Sequence, residues 1–314
     1  MLRYAIKRVL LALAIVLSTA TALFCMVYLI PGDPASIALG PRATAEMRQA
    51  LMERMGLDQP LVIQLLRFFG NLLTGDLGRD VWSNRDVLEI ILEDLPHTLA
   101  LLGAGMLWPV LVGIPLGCYA AVNRGSPADR VVGVLSVGVI ALPSFVVAIY
   151  ALLIFAVHLR WFPAIGVGSP GVVADYLHHL VLPAFAIGLG WLGYLARLVR
   201  ASMLEVLGES HIRTVRAYGL SEHRIVYRYA LKIAIQPAVA LVGIGIGTLL
   251  SGAVFAEIVF ARPGIGKLIY SSVLNRNYPV VMGATIVTTS LLALVTLAVD
   301  LINAQLDPRI RERL

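Results

Sequence analysis

Six long apolar stretches, separated by polar segments, form the pattern of this chain. Each is close to the roughly 20 residues that an α-helix needs to cross the hydrocarbon core of a bilayer. Because backbone polar groups cannot stay unsatisfied in lipid, we expect all six to be helices. The pattern predicts an all-α polytopic membrane protein with six transmembrane helices. Their approximate limits are residues 9–30, 97–121, 131–157, 177–199, 233–256 and 281–304.

Lysine and arginine are unevenly distributed over the polar segments. They are frequent before the first stretch, between the second and third, between the fourth and fifth, and after the sixth. The short segments on the opposite side hold only Arg160, Arg262, Lys267 and Arg276. Short cytosolic loops of membrane proteins carry the excess of positive charge. We therefore expect both termini to be cytosolic.

Composition agrees with a chain built for lipid. Charged residues make up 14% of the 314 residues and the mean hydropathy is +0.84, whereas about a quarter of a soluble globular chain is charged. The net charge of +6 lies between apolar stretches rather than on a soluble, aromatic-rich face, so no nucleic-acid partner is expected. Cys25 and Cys118 both lie inside apolar stretches, which argues against a disulfide framework.

Three regions are predicted along the chain. Residues 1–30 form a cytosolic stub and the first transmembrane helix, retained because its apolar run exceeds the roughly 7–15 residues of a cleavable signal core. Residues 31–96 form an extracytoplasmic loop region, in which Thr44 caps an amphipathic helix and an apolar stretch after Pro60 packs on the membrane surface. Residues 97–314 form the core, with five transmembrane helices.

A long, basic, polar segment at residues 200–232 separates the fourth and fifth stretches. Gly208 interrupts it. A helix over residues 211–218 is predicted to end at Gly219, a residue suited to a left-handed cap. Ser221 is predicted to cap the next helix, which begins at Glu222 and runs into the fifth span. A short helix held between glycine turns is a rigid element on which a soluble partner can dock and exert force.

This segment resembles the coupling loop of ABC-importer permeases in the dipeptide, oligopeptide and nickel branch. That branch carries a sequence similar to RTARAKGLSE, against which Val215 and Tyr218 differ, and Arg213 stands where the general importer pattern has a glutamate. The resemblance implies that an ATPase contacts this loop. The residues it assigns to that contact are Arg213, Thr214, Val215, Arg216, Ala217, Tyr218, Gly219, Leu220, Ser221 and Glu222.

Further motifs similar to those of this branch follow in order along nearly the whole chain. They include IPGDPA at 30–35, MGLDQPL at 55–61, GDLG at 75–78, ALPSF at 141–145, WFPAIG at 161–166, HLVLPA at 179–184, VFARPGIGKL at 259–268, NYPVVMG at 277–283 and LDPRI at 306–310. Each motif alone is weak, but their order and spacing are specific. The resemblance implies a type I ABC-importer permease fold in a bacterial cytoplasmic (inner) membrane.

The resemblance also implies a function. The chain is expected to be a transmembrane permease subunit of an ATP-driven importer for di- and oligopeptides, delivered by an extracytoplasmic substrate-binding protein. Nickel chelates, glutathione and opine-like conjugates are alternative cargoes. A second homologous permease subunit, forming a heterodimer, and two cytosolic ATPase subunits are implied as partners. ATP and Mg are expected on those ATPases, and no cofactor on this chain.

The run Gly264–Lys267 looks superficially like a nucleotide-binding loop. Such a loop requires G-x-x-x-x-G-K-[ST] after a strand, whereas Ala261 and Leu268 stand at two of the required positions. We predict instead a glycine turn that returns the chain to the membrane. No other nucleotide-binding motif and no H-E-x-x-H motif is present in the sequence, so the chain is not expected to be an enzyme.

Two carboxylates lie near the ends of predicted spans: Glu257 in the fifth and Asp300 in the sixth. Ionisable residues within a membrane are functional candidates by default, and both a helix-end role and a place in the translocation path fit them. An ion-coupled secondary transporter is expected to carry paired carboxylates near the bilayer midplane, which this chain almost lacks. No metal site is expected, because His178 and His179 diverge by about 100° on a helix.

Overall fold

The structure is a computed structural model that describes residues 2–29, 44–47, 49, 52 and 59–306. These residues are helical apart from short connections, and their β structure is limited to one isolated antiparallel bridge between Arg79 and Asp86. The all-α prediction is confirmed. The motif at 30–35, most of the motif at 55–61 and all of the motif at 306–310 except Leu306 lie outside the described residues. At the predicted cap, the Met47 N–H donates to Thr44 Oγ1 at 3.2 Å.

The named helices of the described residues follow one another in a simple order. They are α1 (Leu2–Leu29), α2 (Leu61–Thr74), α3 (Val87–Val122), α4 (Pro127–Ala141), α5 (Ser144–Ala151), α6 (Val173–Leu207), α7 (Ser210–Ala217), α8 (Glu222–Arg224), α9 (Leu231–Ala234), α10 (Gln236–Val259), α11 (Ile265–Leu274) and α12 (Tyr278–Leu306). Two further segments, Leu152–His158 and Ile225–Ala230, are π-helical.

Within the described part of the chain, α1, α3, α6, α10 and α12 are long and apolar enough to cross a membrane. A sixth candidate span is the pair Pro127–Ala141 and Ser144–His158, which is bent by 101° at the break. This pair corresponds to the third predicted span, 131–157, which is broken at its middle. Pro143 explains the break, because it has no N–H to donate and its ring clashes with the carbonyl four residues earlier. Leu142 and Pro143 are both extended.

Helix α3 begins at Val87, well before its predicted start at residue 97. Polar residues hide this first part from a search for apolar stretches. Arg85 stands just before the helix and pairs with Glu89 at 3.2 Å and Glu93 at 2.6 Å. Carboxylates near a helix N-terminus also interact favourably with its dipole. The helix thus extends through a polar surface before its apolar part begins.

Two compact units can be described separately. The first contains residues 97–263, in which α6 packs against α4, α5 and α10. Close approaches rely on glycine: a Cβ added to Gly193 would lie 2.6 Å from the Ser136 carbonyl oxygen, and one added to Gly117 would lie 2.4 Å from that of Ala196. A side chain at either position would push two helices apart, so these glycines set the interhelical distance.

The second unit contains the described residues up to 96 together with 264–306. In it α1 and α11 both pack against α12. Its small buried core is formed by Val87, Ile91, Ile265, Val280 and Ala284.

Candidate functional site

The segment between α6 and α10 forms a short helix between two turns. Helix α6 ends at Gly208, whose N–H donates to the Glu205 carbonyl oxygen at 3.1 Å. Helix α7 follows and ends at Ala217, close to the predicted limits of 211–218. Gly219 has φ +76° and its N–H donates to the Arg216 carbonyl oxygen at 3.0 Å. The predicted left-handed turn at Gly219 is confirmed, and it lets the chain reverse after α7.

The connection from Gly219 to α10 is less regular than predicted. Helix α8 begins at Glu222, as expected, but the Ser221 side chain makes no capping hydrogen bond. A π-helical segment, Ile225–Ala230, and the short α9 follow before α10 begins. The chain is thus helical from Glu222 into the fifth span, as predicted, but by way of a π-helical segment and a turn residue at Ile235; the predicted Ser221 cap is wrong. Pro237 stands in the first turn of α10, where its missing N–H has no helical partner to lose.

One side chain anchors α7 to the rest of its unit. Ile212 is fully buried in a cluster that α6 and the 225–238 region also supply. Val215 and Leu220 are partly buried against the same cluster. Other buried members of this anchor cluster are Cys118, Ala121, Leu195, Val199, Met203, Val206, Ile225, Val226, Ala230, Ala234 and Ala238. Helix α7 is therefore amphipathic, with one apolar side packed onto the bundle.

The other side of α7 is open. Arg213 and Arg216 are exposed, and Tyr218 at the end of the helix has 80% of its surface exposed. Arginine and tyrosine are enriched in protein interfaces. The remaining exposed residues among the sequence-predicted positions are Thr214, Ala217, Gly219, Ser221 and Glu222. The structure thus brings nearly all of these positions to one exposed surface, with Val215 and Leu220 beneath it.

An ion pair spans the turn at Gly219. Arg216 Nε lies 2.5 Å from Glu222 Oε1, and Arg216 Nη2 lies 3.1 Å from Glu222 Oε2. The hydrogen bond from Arg216 lowers the pKa of the Glu222 carboxyl, and the same bond raises the pKa of Arg216. On the same segment, His211 Nδ1 lies 2.9 Å from Glu209 Oε2. Part of the basic charge of this surface is therefore already paired within the loop.

A second ion pair, between Asp129 and Arg200, was not singled out from the sequence. Arg200 Nε lies 2.5 Å from Asp129 Oδ1, and Nη2 lies 2.9 Å from Oδ2. Asp129 also accepts the Gly125 N–H, and its own N–H donates to Ser126 Oγ. The pair ties the start of α4 to α6, two turns before Gly208. The Ser126-x-x-Asp129 spacing is typical of a helix start, so the sequence could have indicated the position of Asp129 at the start of α4, although not its pairing with Arg200.

The two carboxylates near span ends have different partners. Glu257 is fully buried and accepts a hydrogen bond from Thr98 Oγ1 at 2.6 Å. Asp300 Oδ2 lies 2.8 Å from Arg8 Nη1 of α1. Close to Glu257, Arg262 is also buried, with its guanidinium carbon 4.7 Å from the centre of the Tyr176 ring. Burial lowers the pKa of Arg262, and Tyr176 and Glu257 partly oppose this change.

Neither the glycine run nor the histidines form a catalytic arrangement in the described residues. Gly264–Lys267 lies at the start of α11 and follows helix α10 and a turn, not the strand that a nucleotide-binding loop requires. His178 Nε2 lies 3.1 Å from the Trp161 carbonyl oxygen, and His179 Nδ1 lies 2.8 Å from that of Asp175. No group of three or more potential ligands suited to a metal ion occurs in the described part of the chain.

Comparison with known proteins places the whole chain in one family. A family model described as a binding-protein-dependent transport system inner membrane component matches residues 113–312, and a model of its N-terminal part matches residues 1–102. A Brucella ovis protein named as a peptide permease is 37% identical and covers 99% of each chain. The glutathione transport system permease protein GsiC of Salmonella typhimurium is also 37% identical, with 99% of each chain covered.

A solved structure shares the fold. The MetNI methionine ABC transporter, in an inward-facing conformation, matches with a TM-score of 0.55 and 18% identity, covering 69% of this chain and 96% of that one. The type I importer permease fold expected from the sequence is confirmed. Since the family model spans well over half of its residues, this chain belongs to the binding-protein-dependent transport system inner membrane components, the permease family of ABC importers.

Proposed function

We propose that this chain is one of two homologous transmembrane subunits of an ATP-driven peptide importer, and that α7 receives the force from an ATPase. The observation that carries the proposal is the two-sided character of α7. Ile212 fastens it to the bundle, while Arg213, Arg216 and Tyr218 stay exposed. A helix of this kind can bind a soluble protein on one side and move a membrane bundle with the other.

The proposed route for this motion follows the anchor cluster around Ile212. That cluster joins α7 to α6 on one side and to the 225–238 region, which leads into α10, on the other. A displacement of α7 therefore acts on two membrane-spanning helices at once. In the complete transporter, alternation between inward-open and outward-open states is driven in this way. ATP and Mg bind to the two ATPase subunits, and an extracytoplasmic binding protein delivers the substrate.

The orientation belongs to the same proposal. Arg213, Arg216 and Arg228 on the 208–232 segment put positive charge on the side where α7 lies, and the positive-inside rule places that side in the cytosol. Both termini then face the cytosol of a bacterial inner membrane.

Di- and oligopeptides are the proposed cargo. A relative named as a peptide permease supports this choice. Glutathione is the second candidate, because a relative of equal identity and coverage is named as a glutathione permease. Glutathione is itself a small peptide, so one pathway can accommodate both. Uptake of labelled di- and tripeptides and of glutathione by proteoliposomes with each candidate binding protein separates the two proposals.

A cross-link tests the docking of the ATPase. In a variant in which Cys25 and Cys118 are replaced by alanine, Tyr218→Cys is expected to form a disulfide with cysteines placed on the ATPase surface in the assembled complex. Trp161→Cys is the matched control, because Trp161 is 61% exposed but is proposed to face the opposite side. The same pair reports orientation through labelling with a membrane-impermeant thiol reagent in inside-out vesicles.

The proposal predicts labelling of Tyr218→Cys and protection of Trp161→Cys in such vesicles. ATPase cross-links confined to Trp161→Cys, or none at Tyr218→Cys in an active complex, overturn it.

A further inference from the structure

The break between α4 and α5 opens into a cavity. The cavity has a volume of ≈ 580 Å³, inside the roughly 300–1,000 Å³ typical of ligand pockets. It is lined by parts of α5, α6 and α10 and by the extended residues Leu142 and Pro143. The residues that matter here are Ser144, Phe145, Gly190, Tyr194, Thr248 and Phe255.

This cavity lies at mid-depth in the membrane-spanning part of the unit. Gly190 is halfway along α6, and Thr248 is next to the midpoint of α10. The break at Leu142–Pro143 is likewise at the middle of the bent pair that runs from Pro127 to His158. Three independent segments therefore contribute their central residues to the same cavity.

A broken helix at this depth needs an explanation. Non-helical backbone is tolerated in the hydrocarbon region only where protein covers it or where it lines a water-filled cavity. The hydroxyl groups of Ser144, Thr248 and Ser251 are lining groups of the same cavity, and hydroxyls facing lipid are costly unless bonded. Thr248 Oγ1 donates to the Gly245 carbonyl oxygen at 2.9 Å, which leaves its lone pairs able to accept. The lining therefore offers a few polar groups to water or a solute on an otherwise apolar surface.

We propose that this cavity is a section of the translocation path that binds the amide groups of a passing peptide and is indifferent to the peptide's charge. The assignment rests on the proposed function and adds the residues that line the path. The Ser144 and Ser251 hydroxyls can both donate and accept hydrogen bonds, and the Thr248 hydroxyl can accept one, so both groups of a peptide amide find partners. Phe145 and Phe255, whose ring centroids are 5.8 Å apart, offer half-exposed apolar surface for side chains. None of the described lining residues is charged.

A lipid acyl chain is the main alternative occupant of this cavity. A second pocket shows what a lipid-facing groove looks like. A cavity of ≈ 450 Å³ beside α3 is lined by Ala104, Leu107, Leu111, Leu177 and other apolar side chains. Its one polar side-chain group, the Trp108 Nε1–H, donates to the Ala184 carbonyl oxygen. The cavity at the helix break differs from it because four of its lining residues, Ser144, Tyr194, Thr248 and Ser251, carry hydroxyls, which favours a solute over an acyl chain.

Thiol accessibility tests the assignment in the complete, ATP-hydrolysing complex. In the cysteine-free background, Thr248→Cys and Gly190→Cys are expected to react with a water-soluble thiosulfonate during turnover, and an excess of transported peptide should slow both reactions. A Cβ at Gly190 meets nothing closer than 3.9 Å, so the cysteine fits. Leu107→Cys, near the middle of α3 and 58% exposed, is the matched control and is expected not to react.

Charge selectivity provides a second, independent measurement. Thr248→Asp, or Ser251→Asp if the first variant fails to assemble, places a carboxylate in the cavity. Like charges at close range in a partly desolvated site repel strongly, so uptake of a peptide of net charge −1 should fall about tenfold relative to a neutral peptide. The parent transporter is expected to show no such preference when both are delivered by the same binding protein at saturation.

The outcomes separate this inference from the proposed function. Two results overturn the assignment, because either means that lipid or the partner subunit covers the cavity. The first is a Thr248→Cys thiol that does not react in an active complex. The second is a thiol reaction that peptide does not slow, together with aspartate variants whose charge preference is unchanged. Absence of peptide uptake by the parent complex overturns the proposed function itself. Reaction, slowing by peptide and a new charge preference together support the path.

Discussion

Two arginine–carboxylate pairs lie on either side of the turn at Gly208, and they have nearly the same geometry. Arg200 and Asp129 meet at 2.5 and 2.9 Å, and Arg216 and Glu222 meet at 2.5 and 3.1 Å. Their surroundings differ. The Asp129 side chain is 6% exposed, whereas that of Glu222 is 62% exposed. Contact distances alone therefore do not reveal what each pair contributes.

The difference indicates separate roles. An exposed ion pair contributes little, because water and salt screen it, so Arg216 can leave Glu222 for a carboxylate on a partner at small cost. Leaving a buried carboxylate without its charged partner has a large free-energy cost. The Asp129–Arg200 pair should therefore persist through the transport cycle. We infer that the buried pair carries motion between α4 and α6, and that the exposed pair is available for exchange.

The largest effect is expected where burial, rather than charge, holds α7. Ile212→Ala removes the fully buried anchor, and large-to-small changes of this kind cost about 3 kcal/mol. Amide hydrogen exchange over Ser210–Ala217 should accelerate strongly, and uptake per ATP hydrolysed should fall. Thr214→Ala on the exposed side is the matched control. Equal exchange rates in the two variants contradict the anchor role.

Loss of the buried pair should have the next largest effect. Asp129→Asn removes the charge that Arg200 faces, and we expect uptake to fall about tenfold, less than for a fully buried pair because Arg200 is 32% exposed. Glu222→Gln is the matched control for the exposed pair. Partial recovery in the charge-swapped variant Asp129→Arg with Arg200→Asp would show that the pairing itself matters. A larger loss in Glu222→Gln than in Asp129→Asn reverses the comparison.

Substitution of Gly219, in the turn between Arg216 and Glu222, should reduce transport more than loss of the exposed ion pair itself. Gly219→Ala places a side chain at φ +76°, a left-handed conformation that costs about 1 kcal/mol for an L residue. We expect a roughly fivefold lower ratio of transport to ATP hydrolysis. Gly208→Ala is the control, because Gly208 has φ −82° and a right-handed conformation open to any residue. Similar losses in both variants argue against a special role for Gly219.

The exposed pair itself should matter least, and its contribution has a defined pH window. Arg216 holds the pKa of Glu222 below the ordinary value of 4.5, so the stabilising contribution is complete above pH 4.5 and disappears as the pH falls through the lowered value. Amide hydrogen-exchange rates in the 216–222 turn, corrected for intrinsic rates, should differ between the parent and Glu222→Gln at neutral pH. This difference should disappear as the pH falls below 4.5. A difference that does not shrink as the pH falls below 4.5, or that is absent at neutral pH and low salt, contradicts this.

Much of α7 could be predicted from local sequence. Gly219 marks the turn because few other residues tolerate a positive φ, and the basic residues before it mark an exposed surface. Ile212 as the anchor was not singled out, because its burial depends on residues of α6 and the 225–238 region that are distant in sequence. The Asp129–Arg200 pair was missed for the same reason, since 71 residues separate its members.

The break at Pro143 shows a different limit. Proline was visible in the predicted span, but kinked helices and fully broken helices have the same local sequence. Which one forms depends on whether neighbouring helices or a cavity satisfy the freed backbone groups. Here α6 and α10 leave space beside the break, so the chain bends by 101°.

The order of apolar and polar residues by itself determined that this chain is helical, lies in a membrane and carries a helical segment beside Gly219, because the bilayer and the backbone impose those outcomes locally. Only the tertiary structure decided which side of α7 is buried, which arginine is fastened to a buried carboxylate, and where a cavity opens. Those results depend on how closely distant helices approach, and Gly193 and Gly117 permit that approach because they carry no side chain.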